Sequence, residues 1–360
     1  MHKLLTVLTP FAPDQSGAVA ALFQLGGIII ICDAGGCTGN ICGFDEPRWR
    51  EKKSAIFSLG LRDIDAILGR DDRLIDKTGN LIEIFKPNFL ALIGTPVPTV
   101  IGTDYAGLAK IAEKKFNIPV INVPCTGTRY YDVGVEEAWT ALLEKFFPEN
   151  STTPKSTPKT HIAGVLGATP LDLGVTEYNE IILENIAGYT DIRPIGFTNF
   201  DDFLAIPSFT HNFVISNSGL KLAKLCQEKF GTPYTINFPL YKLIKNFPFL
   251  LDEASFVKRI LIIHEQILAD TLRTMILSVN RKAIVTVGTF FKQAMENHKT
   301  NDKKFDSEQA LRDFLHKQKF DLIIADVALK RVHPSIKCCW IDLPHFAVSG
   351  RLLSDAEEFY

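Results

Sequence analysis

Gly27-Ile28-Ile29-Ile30-Ile31-Cys32-Asp33-Ala34-Gly35-Gly36-Cys37-Thr38-Gly39-Asn40-Ile41-Cys42 is the stretch on which the reading of this chain turns. Four successive isoleucines with no polar alternation predict a strand buried on both faces, as in a parallel sheet. The run breaks at Asp33 into a glycine-rich turn that carries three of the seven cysteines. Open α/β sheets hold their ligands at the carboxyl ends of such strands. Gly35, Gly36 and Gly39 let the backbone approach a bulky group closely. Thiolates in such a turn can hold an iron–sulfur cluster or another thiophilic centre. The gaps differ from the two-residue gap of ferredoxin or zinc-ribbon sites. Cys32 ends the apolar run and reads first as a small core residue, with a ligand role left open. Cys37 and Cys42 lie in the turn itself and are the principal ligand candidates.

The rest of the chain is ordinary in composition. It has 360 residues, 46% hydrophobic and 22% charged, with a net charge of −2. That size predicts two or three domains. The near-neutral charge gives no sign of a nucleic-acid surface or a polybasic membrane anchor. Arg48, Arg50, Lys52 and Lys53 are expected to form a solvated basic face or a dock for an acidic redox partner. No secretion signal is expected: Met1-His2-Lys3 is only a weakly positive start, and Pro10, Pro13, Asp14 and Gln24 break the apolar segment after it. No clean apolar stretch reaches the length of about 18 residues that a membrane span needs. An odd cysteine count argues against a disulfide framework and predicts a reducing, cytoplasmic setting.

Apolar runs punctuate the chain regularly. Before a Ser/Thr/Pro/Lys-rich linker at 148–160, strands are predicted at Gly27–Cys32, Ala55–Leu59, Phe89–Ile93 and Pro119–Val123. Helices are predicted over Gly17–Leu25, Ile64–Leu68 and Tyr105–Phe116. The rhythm then recurs twice: at His161–Leu166, Asp191–Ile195, Phe213–Ser216 and Tyr234–Ile236, and at Arg259–Ile263, Ala283–Val287, Leu322–Ala325 and Cys339–Ile341. The predicted fold is α/β: three Rossmann-like units with open, mostly parallel sheets flanked by helices, at 1–147, 161–256 and 257–360. The turn Gly164-Val-Leu-Gly167-Ala-Thr lacks the full dinucleotide fingerprint.

In this order the landmarks resemble nitrogenase component 1 and its relatives, which include the dark-operative protochlorophyllide reductase subunits and the reductases of nickel-tetrapyrrole biosynthesis. Ser16-Gly17-Ala18-Val19 through Gly36-Cys37 resembles the family's opening helix, strand and glycine–cysteine turn. Phe57 to Gly69, Pro96 to Asp104, Pro119 to Gly127, Glu228 to Tyr234 and Phe320 to Asp326 are similar to successive family segments. The resemblance covers nearly the whole chain. It implies a cluster ligand at Cys37. The family's other two cluster cysteines would fall near Ala12 and Pro13, and near Thr95 and Pro96, where this chain has none. Cys42 is additional to the pattern. The resemblance therefore implies a single [4Fe-4S] centre, held by two thiolates from each of two subunits or by three thiolates and another ligand, in a homodimer or a pair with a related component 1 subunit. The cysteine that anchors the iron–molybdenum cofactor would fall near Ile215 or Ser216, where the chain reads Ser216-Asn217-Ser218. No iron–molybdenum cofactor and no dinitrogen reduction are expected.

Further candidates carry two readings each. Cys125, between Pro124 and Gly127, is either a further ligand or a packing thiol. Cys226 reads as core, and Cys338 and Cys339 as structural, since neighbours on a strand face opposite ways. His345 is a ligand, a proton donor or a surface residue. Arg129, Tyr130, Tyr131, Asn217 and Ser218 are candidates to line a substrate cleft. Asp45, Glu46 and Arg48 can instead form a local salt-bridged turn around Pro47.

The leading expectation is a cytoplasmic redox subunit, typical of anaerobic chemistry. It would take low-potential electrons from an ATP-dependent iron-protein-like reductase and pass them through the cluster to a small molecule, with a tetrapyrrole among the substrates the resemblance implies. The rivals are a scaffold or carrier for a cluster or metallocofactor, and a metal-free ligand-binding module. Neither nucleic acid nor membrane is an expected partner.

Overall fold

The computed structural model describes residues 5–68, 71–148, 161–178, 189, 191–238, 256–294 and 298–355. Three separate sheets form, and every pairing in them is parallel. The first holds β1 (Ile28–Ile31), β2 (Ile56–Ser58), β3 (Leu90–Ile93) and β4 (Val120–Val123), in the order β2-β1-β3-β4. The second holds β5 (Ile162–Leu166), β6 (Asp191–Pro194), β7 (His211–Val214) and β8 (Tyr234–Ile236), in the order β6-β5-β7-β8. The third holds β9 (Arg259–Ile263), β10 (Ile284–Thr289), β11 (Lys303–Lys304), β12 (Leu322–Ala325) and β13 (Cys339–Asp342), in the order β11-β10-β9-β12-β13. All the predicted strands form. β7 begins two residues earlier than expected, and the two-residue β11 had no apolar run to announce it. Of the predicted linker, 149–160 lies outside the described residues.

The isoleucines of β1 are buried on both sides, as the unbroken run predicts. Ile29 and Ile31 join one core, while Ile28, Ile30 and Cys32 join another. Each isoleucine so buried contributes about 1.5–3 kcal/mol. The first core runs on into the second and third sheets; the second is closed by Tyr105, Leu108 and Ala112 of the helix Tyr105–Phe116.

The first helix runs Asp14–Leu22 rather than from Gly17, and all nine of its residues are buried. Pro13 supplies the extended residue before it, and proline is suited to the edge of a helix start. The helix lies hard against Tyr131–Phe146. A Cβ at Gly17 would stand 1.9 Å from the Tyr131 carbonyl oxygen, and one at Gly134 would stand 1.8 Å from that of Asp14. Only glycine permits that approach. No helix among the described residues is long and apolar enough to cross a membrane.

In each sheet the strand order reverses once: between β1 and β3, between β5 and β7, and between β9 and β12. The crevice at the carboxyl ends of such a strand pair is where open α/β sheets bind ligands.

Candidate metal centre

The reversal in the first sheet places the turn after β1 beside the turn after β3. Gly35 takes φ +116° and opens a short helix, Gly36–Asn40, that carries Cys37. A π-helical turn follows at Ile41–Asp45 and carries Cys42; such wide turns recur at functional sites. Asp33, 2% exposed, anchors the start. It accepts from the Thr38 amide at 2.8 Å, the Thr38 hydroxyl at 3.0 Å and the Ser58 hydroxyl at 2.6 Å. Asp45 accepts from the Ser16 hydroxyl at 2.6 Å and the Asn40 amide at 2.9 Å, tying the far end to the first helix. Ile41 is buried between them.

Arg48 locks the exit of the turn. The sequence suggests a solvated cation here, but the guanidinium is 1% exposed. It forms a two-pronged pair with Glu46 at 2.7 Å through both Nε and Nη2. It donates also to the Gly196 carbonyl at 2.6 Å and the Ala20 carbonyl at 2.8 Å, and lies over the ring of Phe23. Arg48 thus leaves the basic patch and joins the local salt-bridged turn, where its rigid fork makes four hydrogen bonds at once.

Both cysteines of the turn are half-buried and free. Burial, then Asp33, push the Cys37 thiol up, and Thr95 hydrogen-bonds it and pulls the other way. Burial and Glu46 push Cys42 up, with Lys53 opposing. Neither is an activated nucleophile; a bound metal would displace the protons. Thr95, from the turn after β3, stands beside Cys37, where the family pattern places a third cysteine. A side chain at Gly35, Gly36, Gly39 or Gly43 would meet nothing within 4 Å. Phe44, in the cysteine turn itself, is 74% exposed, and the short helix Pro96–Val100 that follows β3 exposes Val97 and, at 86%, Val100, with Ile101 just beyond it.

The other cysteines lie elsewhere. Cys32 and Cys125 are buried in the two different cores. Burial and Asp33 push Cys32 up to about 12, and burial with Asp14 and Glu137 raises Cys125 well above the usual thiol range. Cys226 is core; Cys338 is partly buried and Cys339 exposed. No group of three or more His, Cys, Asp or Glu among the described residues is arranged to hold a metal ion.

The predicted cleft residues gather where the second and third sheets reverse. Asn217 and Ser218 are buried, and the Asn217 side chain donates to Glu265 at 2.9 Å and Gln266 at 3.1 Å across the two units. His345, 2% exposed, stacks on His264 at 4.1 Å. Its Nε2 lies 3.2 Å from the Tyr131 hydroxyl, which donates to Asp172 at 2.8 Å. Arg129 instead pairs with buried Asp14 at 2.8 Å and with Glu137. Asp14 also accepts from the amides of Thr126 and Gly127, so it shapes the loop after Cys125. Sequence reading missed Asp14, Asp33, Asp172, His264 and Glu265. An acid two residues past a strand, as at Asp33, and a His-Glu pair directly after β9 were the available signals.

Protonation at this junction is held by burial. Burial pulls His264 down to about 4, against a hydrogen bond to the Pro344 carbonyl; burial and then His264 lower His345 well below its usual value. Burial pushes Asp172 up to about 7 and Glu265 up to about 8. The unfolded chain protonates a histidine near 6.5, so the histidine contribution is lost as pH falls from there toward 4. The carboxyl contribution has the other sign: it is full below about pH 4, where the unfolded carboxyls are also protonated, and is lost as pH rises from there to 7 for Asp172 and 8 for Glu265. In His264→Asn, stability measured by urea unfolding should lose up to about 1.4 kcal/mol per pH unit of slope between pH 6 and 4.5, relative to the unsubstituted protein. An unchanged slope would show that His264 is protonated in the folded state.

A sequence profile of the nitrogenase component 1 type oxidoreductase family matches residues 14–241. The nitrogenase iron-molybdenum cofactor biosynthesis protein NifE of Clostridium pasteurianum is 27% identical over 181 residues, which are 49% of this chain and 38% of that protein. The chain thus spans well under half the length of that relative. Solved structures of nitrogenase Cp1 share the fold. The one at pH 6.5 has a TM-score of 0.66 at 13% identity, over 95% of this chain and 87% of that one; the one at pH 5 has 0.67 at 15%, over 98% and 86%. With the glycine–cysteine turn at the first sheet's reversal and a profile match across more than half its residues, the chain belongs to the nitrogenase component 1 type oxidoreductase family.

Proposed function

We propose that the chain is a redox subunit in which Cys37 and Cys42, with a matching pair from a second chain, hold a [4Fe-4S] cluster. One observation carries the reading: two half-buried thiols in a braced glycine turn, open above, with Phe44 exposed in the turn and Val97, Val100 and Ile101 exposed after β3. A four-iron cluster takes four cysteine ligands, and one turn offers two. The second chain is a copy of this one or a related component 1 subunit, and it covers those apolar side chains. When bound, the cluster supplies one-electron transfer. The chain's own residues orient the thiols through Asp33, Asp45 and Arg48, exclude water through Ile41, and set the neutral surroundings through Thr95. Electrons come from an ATP-dependent iron-protein-like reductase. The substrate is a small unsaturated molecule, a tetrapyrrole among the candidates, met by Asn217, Ser218, Arg129 or His345. Iron–molybdenum cofactor is no part of this reading, since the position of its cysteine falls near Ile215 or Ser216 and neither is a cysteine.

A second reading is a carrier of a cluster or metallocofactor. It is favoured by the likeness to a cofactor biosynthesis protein and by the side chains of Asn217 and His345, which are already engaged. The test is anoxic purification with iron and sulfide analysis and light scattering, followed by assay with a competent reductase. About four iron atoms per pair of chains and reductase-dependent turnover support the first reading. Release of iron to an apo-acceptor without turnover supports the second. Colourless, monomeric protein overturns both.

A further inference from the structure

A cavity of about 630 Å³ opens at the carboxyl ends of β12 and β13, far in sequence from the cysteine turn. Its walls are Val7, Thr9, Val327, Ala328, Lys330, Arg331, Pro334, Ser349 and Arg351, of which the three charged members are all cations. The nearest carboxylates are occupied. Asp326 accepts from the Ala328 and His345 amides and the Ser349 hydroxyl. Asp342 accepts from the Val327 amide at 2.9 Å and pairs with Arg351 at 2.8 Å. That pair fixes one guanidinium at the cavity wall. Lys330 and Arg331 project from the last turn of the short helix Val327–Val332, and no ion pair among the described residues engages them. The opposite wall is rigid as well: the carboxylate of Glu308 accepts from the amides of Thr6, Val7 and Leu8.

We infer that this cavity is a binding site for a small phosphate-bearing organic anion. Its volume lies in the range of small-molecule sites, about 300–1,000 Å³. It lies at the carboxyl-terminal edge of the third sheet, beside the β9–β12 reversal rather than at it. Lys330 and Arg331, two cations that no ion pair among the described residues engages, suit an oxyanion of charge −2, and the guanidinium of Arg351, oriented by its pair with Asp342, stands at the same wall. Val7, Val327, Ala328 and Pro334 offer an apolar wall for the organic body. Such a concave, half-apolar site differs from a flat dock for an acidic protein.

The experiment is titration calorimetry of the full chain with ADP and with inorganic pyrophosphate, in magnesium-free buffer of low ionic strength. Lys330 and Arg331 are exposed, so the double variant Lys330→Glu/Arg331→Glu should fold normally, as circular dichroism will report. We expect ADP to bind and to be displaced by pyrophosphate, and the double variant to bind at least roughly tenfold more weakly, since tenfold is only about 1.4 kcal/mol. Ala328→Trp, which fills the apolar wall, should weaken ADP more than pyrophosphate. Protein with and without iron should respond alike, which keeps this test independent of the cluster. No ADP binding to the unsubstituted protein, or equal binding to the charge-reversed one, overturns the assignment.

Discussion

Cys37→Ala, purified without oxygen, is expected to lose its visible absorption and nearly all its iron and sulfide. In a centre shared by two copies, one substitution removes two of the four thiolates at once. The remaining pair, Cys42 and its counterpart, lacks a third and fourth ligand nearby, since no larger group of ligating side chains exists among the described residues. Cys42→Ala should behave alike. Cys125→Ala, in a fully buried core position, should keep its iron and lose only the packing of a small thiol. The contrast matters because a purely structural cysteine would show the reverse order, with iron insensitive to Cys37 and stability sensitive to it. Iron unchanged in Cys37→Ala would remove the turn as the metal centre.

Arg48→Ala should cost about 3–5 kcal/mol of folding stability, the usual loss when one partner of a buried ion pair is deleted. Glu46 would be left charged at 1% exposure, and the carbonyls of Gly196 and Ala20 would lose their donor. Glu46→Ala should cost a similar amount. The double variant should cost less than the sum, because each single change leaves the other charge stranded. Urea unfolding of the four proteins measures this directly. Arg48 joins the cysteine turn to the second unit through Gly196, so in iron-loaded protein the same variant should release iron faster to a chelator. Additive losses from Arg48 and Glu46 would mean that the two do not act as a pair.

Much of the fold was legible because burial writes itself into one-dimensional patterns. The unbroken Ile28–Ile31 run could only be a strand covered on both faces, and the runs at Leu90, Val120, Ile260 and Leu322 repeat that pattern. The first helix was misplaced by three residues for a physical reason. Asp14, Gln15 and Ser16 are polar and extend no apolar periodicity, yet they are buried because Gly17 and Gly134 let two helices close on them. β11, two exposed lysines, had no periodicity to show. Arg48 carried two readings, a solvated basic face and a local salt-bridged turn; the pair with Glu46 selects the second, while the carbonyls of Ala20 and Gly196 that bury it come from distant segments no local pattern shows.

The sequence by itself determined that the chain is a series of parallel α/β units and that a glycine–cysteine turn follows the first buried strand. Both follow from local periodicity and from the conformations that glycine alone permits. Only the tertiary structure decided what stands beside that turn. The order β2-β1-β3-β4 brings Thr95 to Cys37, sends Cys32 and Cys125 into separate cores, and leaves Phe44 and Val100 uncovered. The same holds for the junction of His264, His345, Tyr131 and Asp172, which lie up to 214 residues apart. Strand order is set by how hydrophobic faces share a core, a property of the whole chain that no window of residues contains.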